Sequence, residues 1–241
     1  MNFDKSILIV GVGGLGVPAA LAIARDKSVR HLGLMDPDPV ELSNLHRQVI
    51  YTTADIEKPK VEAAAIQLRK INPALKIEPL QLALNTNNAR EIIARYDFIV
   101  DGTDSPAAKF LINDIGVATA TPFVYGGVLG MNGQAMTVIP RRTACIRCLF
   151  EGVSDTAEVA SCREAGILGP IAGALGILQA HEAIAFAQGR MPKLAGGILT
   201  YDASATSRAR FARVSPRPEC ICGANDRLAR EPGQTQALAR H

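Results

Sequence analysis

Ser6-Ile7-Leu8-Ile9-Val10-Gly11-Val12-Gly13-Gly14-Leu15-Gly16 is a short apolar run that stops in a glycine turn, and residues 15–25 then carry apolar side chains at helical spacing. This order reads as a buried strand, a tight turn and a helix, with Pro18 tolerated because it falls in the first turn. Gly11, Gly13 and Gly16 allow the backbone to approach a phosphate, and the helix that follows offers unpaired N–H groups and the positive end of its dipole. Such turns are common among unrelated nucleotide-binding proteins, and the glycines also fit a bland role of packing a helix on a strand. What accompanies the turn therefore decides its meaning.

Outward from it, residues 31–35 read as a second strand that stops at Asp36, before a proline-rich turn. Residues 57–71 have helical spacing, with Val61, Ala64, Ala65, Leu68 and Ile71 on one face and Asn72-Pro73 as the stop. A strand at 77–84, a helix at 87–95, a buried strand at 98–100, a helix at 106–120 and a strand at 123–128 continue the alternation. Strands alternating with helices predict an α/β fold with a Rossmann-like doubly wound parallel sheet, its ligand at the carboxyl ends of the strands. After Gly130 the pattern changes, because Gly130-Met131-Asn132-Gly133 supplies turn residues and 133–139 pairs back as a hairpin. Antiparallel C-terminal strands at 198–201 and 210–214 continue the parallel N-terminal ones. Between them a helix spans 169–188, with Gly173 and Gly176 as close-packing positions. Residues 151–166 read as a mobile crossover loop over the site, and 224–241, poor in large apolar residues, as a disordered tail. The expectation is one domain over 1–223.

The chain has 241 residues, of which 48% are hydrophobic and 20% charged, with a net charge of +3. It is long enough for one sizeable core and too nearly neutral for a nucleic-acid binder. No run of 18 uncharged apolar residues occurs; the best candidate, 170–189, is interrupted by Gln179, His181, Glu182 and Gln188, as in a helix packed in protein rather than in a membrane. The first five residues leave no room for a signal peptide, so a cytoplasmic location is expected. In a reducing compartment five cysteines point away from disulfides, and four of them fall in two close pairs, which points to metal.

Four further features give the glycine turn its context. Asp36 lies at the strand end where a carboxylate accepts ribose hydroxyls. Arg47 and Lys60 are two cations beyond what a dinucleotide's pyrophosphate needs, and they suit a triphosphate whose leaving pyrophosphate gains charge during attack; as surface charges they would carry no such meaning. Asp104, in Asp101-Gly102-Thr103-Asp104, stands where a carboxylate can hold magnesium between phosphates, with Asp101 organising the turn. Cys145 and Cys148 form a CxxC and Cys220 and Cys222 a CxC, a donor set for a closed structural zinc site, with free thiols as the alternative. None of the histidines has a catalytic partner: His46 reads as a variable contact, His181 as a core residue of the late helix and His241 as part of the tail.

GxGGLG, DxDxVELSNLxRQ, PKVEAA, DGTD and the two cysteine pairs together resemble the ThiF/MoeB/HesA adenylyltransferases, relatives of the ubiquitin-activating enzymes, over roughly residues 6–223. The resemblance implies an ATP-dependent reaction in which the C-terminal glycine carboxylate of a small ubiquitin-like sulfur-carrier protein, ending in Gly-Gly, attacks the α-phosphate of ATP. An acyl-adenylate and pyrophosphate result, and sulfur from a donor protein then makes a thiocarboxylate. It implies that Gly14 belongs to the phosphate turn with Gly11, Gly13 and Gly16. It also assigns Asp36 to ribose, Asn44, Arg47 and Lys60 to phosphates, Asp104 to magnesium, and Gln48 to the same cavity. A homodimer is implied as well, although the RYxRQ-type segment that supplies an arginine to the partner's ATP in such proteins has no match in this chain. Cys162, followed by Arg163, lies where some relatives form a thioester or persulfide adduct with the carrier and where in others the thiol is dispensable. Two competing readings stand beside this one. An NAD-dependent oxidoreductase accounts for the glycine turn and Asp36 only, and a nucleotide-binding scaffold would lack turnover.

Overall fold

The structure is a computed structural model that describes residues 5–150, 166–204 and 208–223. Its frame is an eight-stranded sheet in the order β3-β2-β1-β4-β5-β6-β7-β8. The strands are β1 (Lys5–Val10), β2 (Val29–Met35), β3 (Lys76–Leu80), β4 (Phe98–Asp101), β5 (Phe123–Leu129), β6 (Asn132–Val138), β7 (Gly197–Asp202) and β8 (Arg208–Arg213). β3, β2, β1, β4 and β5 run parallel, and β5 to β8 are antiparallel, as the change of pattern after Gly130 predicts. The hairpin register places Leu129 opposite Asn132, and Gly130 takes φ +56° at the first of the two loop positions, where a side chain would be strained.

Alternation along β1 gives the sheet its two buried faces. Ile7 and Ile9 enter a core with Val17, Leu34, Leu68 and Phe98, whereas Leu8 and Val10 enter a second core with Ile93, Ile112 and Phe123. The helices are α1 (Gly16–Ile23), α2 (Lys60–Ile71), α3 (Ala89–Ile93), α4 (Pro106–Thr119), α5 (Ile146–Leu149) and α6 (Gly169–Ala187). α6 is long and apolar enough to cross a bilayer by length and composition, yet 61% of its most apolar window is buried in the fold. Gln179 and Glu182 of this helix are buried and used internally. Glu182 accepts hydrogen bonds from Thr137 Oγ1 at 2.7 Å and from the Lys193 and Leu194 amides at 3.0 and 2.8 Å.

Several boundaries differ from the sequence expectation for physical reasons. β3 ends at Leu80, not 84: β2 is its partner, and that ladder ends where Asp36 N donates to Leu80 O and Pro37 follows without an N–H. α2 begins at Lys60 rather than 57, because Pro59 occupies its N-cap and Glu57 sits at φ +71°. Ile71, expected on the buried face, is the last residue of α2 and is exposed, and His181 lies on the exposed side of α6 rather than in the core. α3 is shorter than 87–95, since Asn85 and Asn88 use side chains to shape the preceding turn. α5 and the 3-10 turns Leu42–Asn44 and Thr53–Asp55 are too short to show a period. The tail 224–241 and the crossover segment 151–165, with Cys162, lie outside the described residues.

A Cβ on Gly176 would overlap the Leu15 carbonyl, whereas a Cβ on Gly173, one turn earlier in the same helix, would meet nothing within 4 Å. Gly176→Ala is therefore expected to cost about 1–3 kcal/mol by forcing α6 from α1. Gly173→Ala should be neutral or stabilising by up to about 1 kcal/mol. Urea midpoints measure both, and equal midpoints for the two variants would contradict the close approach of these helices.

Candidate functional site

β1 and β4 are neighbours in the sheet, so their carboxyl ends carry the glycine turn and the Asp101–Asp104 turn side by side. Gly11, at φ +88°, has no room for a Cβ: it would stand 2.7 Å from the Gly102 carbonyl. A Cβ on Gly102 would stand 2.5 Å from Gly11 O, and one on Gly16 would overlap the same oxygen. These three glycines let the two turns interlock. Gly13 and Gly14 are different, since a Cβ there would meet only side chains, Gln48 Nε2 at 3.6 Å and Ala172 and Arg47 at 3.5 Å. They face a cavity of about 1150 Å³, large enough for a nucleotide and the end of a second chain. Asp36, Arg47, Lys60 and Asp104 line the same cavity, as do Gly127 and Val128 of the hairpin.

Asp36 is 6% exposed. Its Oδ2 accepts from Val12 N at 2.7 Å and its Oδ1 from Asp38 N at 2.9 Å, which fixes the carboxylate in one orientation at the cavity wall. Burial pushes this carboxyl above its ordinary pKa, against the downward pull of Lys60 and of the two backbone donors. The Lys60 ammonium lies 3.8 Å from Asp36 Oδ1 and 3.1 Å from Asp38 Oδ2, so α2 delivers a largely buried cation beside two carboxylates. Tyr51 donates its hydroxyl to Val12 O at 2.9 Å and braces the glycine turn from behind.

Arg47 reaches the cavity from the segment between β2 and α2. Its Nη2 donates to Asn44 Oδ1 at 2.6 Å, and Asn44 Nδ2 donates in turn to Glu41 Oε2 at 2.9 Å. His46 Nε2 is 3.2 Å from Arg47 Nη1, a contact at the cavity edge rather than a catalytic one. Gln48 is 3% exposed, and its Oε1 finds no partner, so an acceptor stands unused beside Gly13. Asp104 is exposed, and among the described residues its carboxylate makes no hydrogen bond or ion pair. Asp101 is fully buried and does organise the turn: Thr103 N and Oγ1 donate to its Oδ1 at 3.0 and 2.7 Å. The sequence reading missed Lys109, which pairs with Asp101 Oδ2 at 3.1 Å and also lines the cavity. The only sequence hint is general, that a carboxylate ending a buried strand needs partners, and it does not point to a residue eight positions on.

The four cysteines converge at a second place, formed by α5 and the turn after β8. Their sulfurs lie within 4.8 Å of one another, with Cys145 to Cys220 at 3.5 Å and Cys148 to Cys222 at 3.3 Å, and none is in a disulfide. Four thiolates about 2.3 Å from a tetrahedral ion would be about 3.8 Å apart, which this cluster approximates. The CxC pair does not prevent convergence, because residues 220–223 fold as a turn closed by Gly223 N donating to Cys220 O at 2.9 Å. Burial and the neighbouring Cys220 push the Cys145 thiol up to about 12, so it is neutral at pH 7, and a divalent ion would bind there by displacing its proton.

The ThiF family model matches residues 3–223. The "Adenylyltransferase and sulfurtransferase MOCS3" of Arabidopsis thaliana is 41% identical over 223 residues, which are 92% of this chain and 48% of that protein. A "Sulfur carrier protein adenylyltransferase" of Thermus thermophilus is 37% identical over 224 residues, 90% of this chain and 82% of that protein. The chain thus spans about half the length of the MOCS3 relatives it matches. Among solved structures, E. coli MccB crystallised with ATP has a TM-score of 0.80 at 21% identity, covering 93% of this chain and 68% of that one, a likeness of fold.

The raised Asp36 pKa carries a sign. With the unfolded value near 3.9 and the folded value higher, the group's contribution to stability is fullest below the unfolded pKa and is lost as pH rises through the folded one. Asp36→Asn keeps an acceptor for Val12 N, gives up the one for Asp38 N and leaves Lys60 its Asp38 partner. Its stability relative to the wild type should rise as the pH goes from about 4 to 7, on top of a pH-independent loss from the missing hydrogen bond. A constant difference, or a wild type that gains on the variant over that range, would show that Lys60 and the backbone donors outweigh burial.

Proposed function

The chain belongs to the ThiF family, and on that premise we propose that it adenylates the C-terminal glycine carboxylate of a small ubiquitin-like sulfur-carrier protein with ATP. The observation that carries this reading is the meeting of the glycine turn, Asp36, Arg47, Lys60 and Asp104 around one cavity that also opens on the β5–β6 hairpin. An oxidoreductase would leave Arg47 and Lys60 without work, and both relatives named above are called adenylyltransferases.

The chemistry follows from charge. A carboxylate is ionised at pH 7 and needs no general base, so its oxygen attacks the α-phosphorus directly. The bond from that phosphorus to the bridging oxygen of the β-phosphate breaks, and the electron pair leaves with pyrophosphate. Binding and orientation fall to Asp36 for the ribose hydroxyls and to the Gly13-Gly14 backbone for phosphate. Charge stabilisation falls to Arg47 and Lys60, which face the pyrophosphate as it gains charge. Arg47 is already oriented by Asn44, with guanidinium donors to spare. Gln48 Oε1 offers an acceptor inside the cavity. Asp104, exposed and unpaired at the cavity wall, would hold magnesium, which screens the phosphates when bound.

The cysteine cluster fits a structural zinc ion that ties the C-terminal turn to α5. A homodimer, a sulfur-donor protein that acts after adenylation, and a cytoplasmic setting that keeps the four thiols reduced and open to the ion complete the reading. Cys162 enters it as a candidate station for the carrier after the adenylate has formed.

Asp104→Ala should abolish carrier-dependent exchange of labelled pyrophosphate into ATP while leaving the melting temperature unchanged, because the side chain has no core contact. Arg47→Ala and Lys60→Ala should each slow the exchange by about a hundredfold or more. Full exchange by all three variants would remove the triphosphate reading.

Elemental analysis should find about one zinc per chain, lost in Cys145→Ser together with the fold of residues 215–223. A metal-free preparation with full activity and a native melting curve would show that the cluster serves as thiols only.

A further inference from the structure

Lys109 is the fourth residue of α4, and a helical side chain points back toward the N-terminus of its helix, here toward the turn that carries Asp104. Its ammonium has three N–H groups and three protein acceptors. It donates to Asp101 Oδ2 at 3.1 Å, to the carbonyl of Thr103 at 2.7 Å and to the carbonyl of Gly126 at 2.5 Å. These belong to three different segments: the end of β4, the turn after it, and β5. The side chain is 12% exposed, with the Tyr125 ring 5.2 Å away on one side. From α6, Gln179 Nε2 binds Asp101 O at 2.7 Å and Val124 O at 3.3 Å, closing the same junction from a fourth element.

The bond to Thr103 O bears on the site. That oxygen belongs to the peptide unit immediately before Asp104, and rotation of this unit swings the Asp104 Cβ. Asp104 itself has no side-chain partner among the described residues, so its backbone is what aims it. With all three N–H groups engaged, Lys109 has none left for a phosphate, although it lines the cavity. We propose that Lys109 is a positioning residue, which fixes the Thr103–Asp104 peptide against β5 and so holds the Asp104 carboxylate at the phosphate end of the cavity. This deepens the adenylation reading of the cavity and rests on it. The cost of losing the anchor would fall on the chemical step, because a misplacement of about 1 Å at a reacting centre can cost about a hundredfold in rate.

Lys109→Met alone would leave Asp101 buried and unpaired, so the test pairs it with Asp101→Asn, whose amide oxygen still accepts from Thr103. The double variant, Lys109→Met and Lys109→Arg are compared with the wild type by urea unfolding, by amide exchange across residues 102–105 without nucleotide, and by pyrophosphate exchange. The double variant should fold, lose about tenfold in amide protection at the turn, keep its KM for ATP within about threefold and lose about thirtyfold or more in kcat. Lys109→Arg, which retains a cation and several donors, should recover most of the rate. A folded double variant with native turn protection, or with kcat within about threefold of the wild type, overturns the proposal. So does a Lys109→Arg loss equal to that of Lys109→Met. Should the wild type itself exchange no pyrophosphate, the adenylation reading fails, and the amide protection alone decides whether Lys109 holds the turn.

Discussion

The site depends on how closely β1 and β4 can bring their carboxyl ends together. Gly11, Gly16 and Gly102 meet backbone against backbone, at distances where any Cβ would collide with a carbonyl. That interlock sets the glycine turn beside the Asp101–Asp104 turn, and it leaves Gly13 and Gly14 facing the cavity. Hydrophobic alternation in β1 buries both faces of the strand and so holds the interlock from either side. A sheet with a different strand order would separate the glycine turn from Asp104, and the same residues would then make no common cavity.

On this frame the acidic strand ends are managed by lysines from the helices that follow. Asp36, at the end of β2, is met by Lys60 at the start of α2, and Asp101, at the end of β4, by Lys109 in the first turns of α4. The two pairs differ in what they leave free. Asp36 is held by backbone donors from one side and keeps lone pairs toward the cavity, whereas Asp101 is wholly buried and spends its oxygens on Thr103 and Lys109. One carboxylate thus stands at the cavity wall with acceptor capacity left over, and the other shapes a turn. Burial raises the Asp36 pKa against the pull of Lys60 and the two backbone donors, so the ionised form is held at some expense of its own solvation.

Much of this was legible in the chain. The glycine turn after an apolar run, Asp36 before prolines, and the cysteine pairs each carry a local chemical reason, and the structure brings all of them to one of two places. The switch from parallel to antiparallel strands was readable from the turn residues Gly130-Met131-Asn132-Gly133, which leave no room for a crossover; the register then shows a loop of two residues. Lys109 was not legible in the same way: its meaning lies in acceptors eight positions back and 17 positions ahead. The division of the glycines into packing and cavity-facing pairs is likewise set by a neighbouring strand. His181 and Ile71 show the limit of periodicity, which names a face but does not say where the neighbouring element ends.

The central claim is that this cavity joins AMP to a protein's terminal carboxylate. The most direct measurement incubates the chain with ATP and a small ubiquitin-like protein ending in Gly-Gly, without a sulfur donor, and examines that protein by intact-mass spectrometry. The account expects a carrier–AMP adduct on the C-terminal glycine, formed with release of pyrophosphate and absent when the carrier's terminal carboxylate is amidated. Hydrolysis of ATP with no adduct on any such carrier, or an adduct that survives amidation, would contradict it.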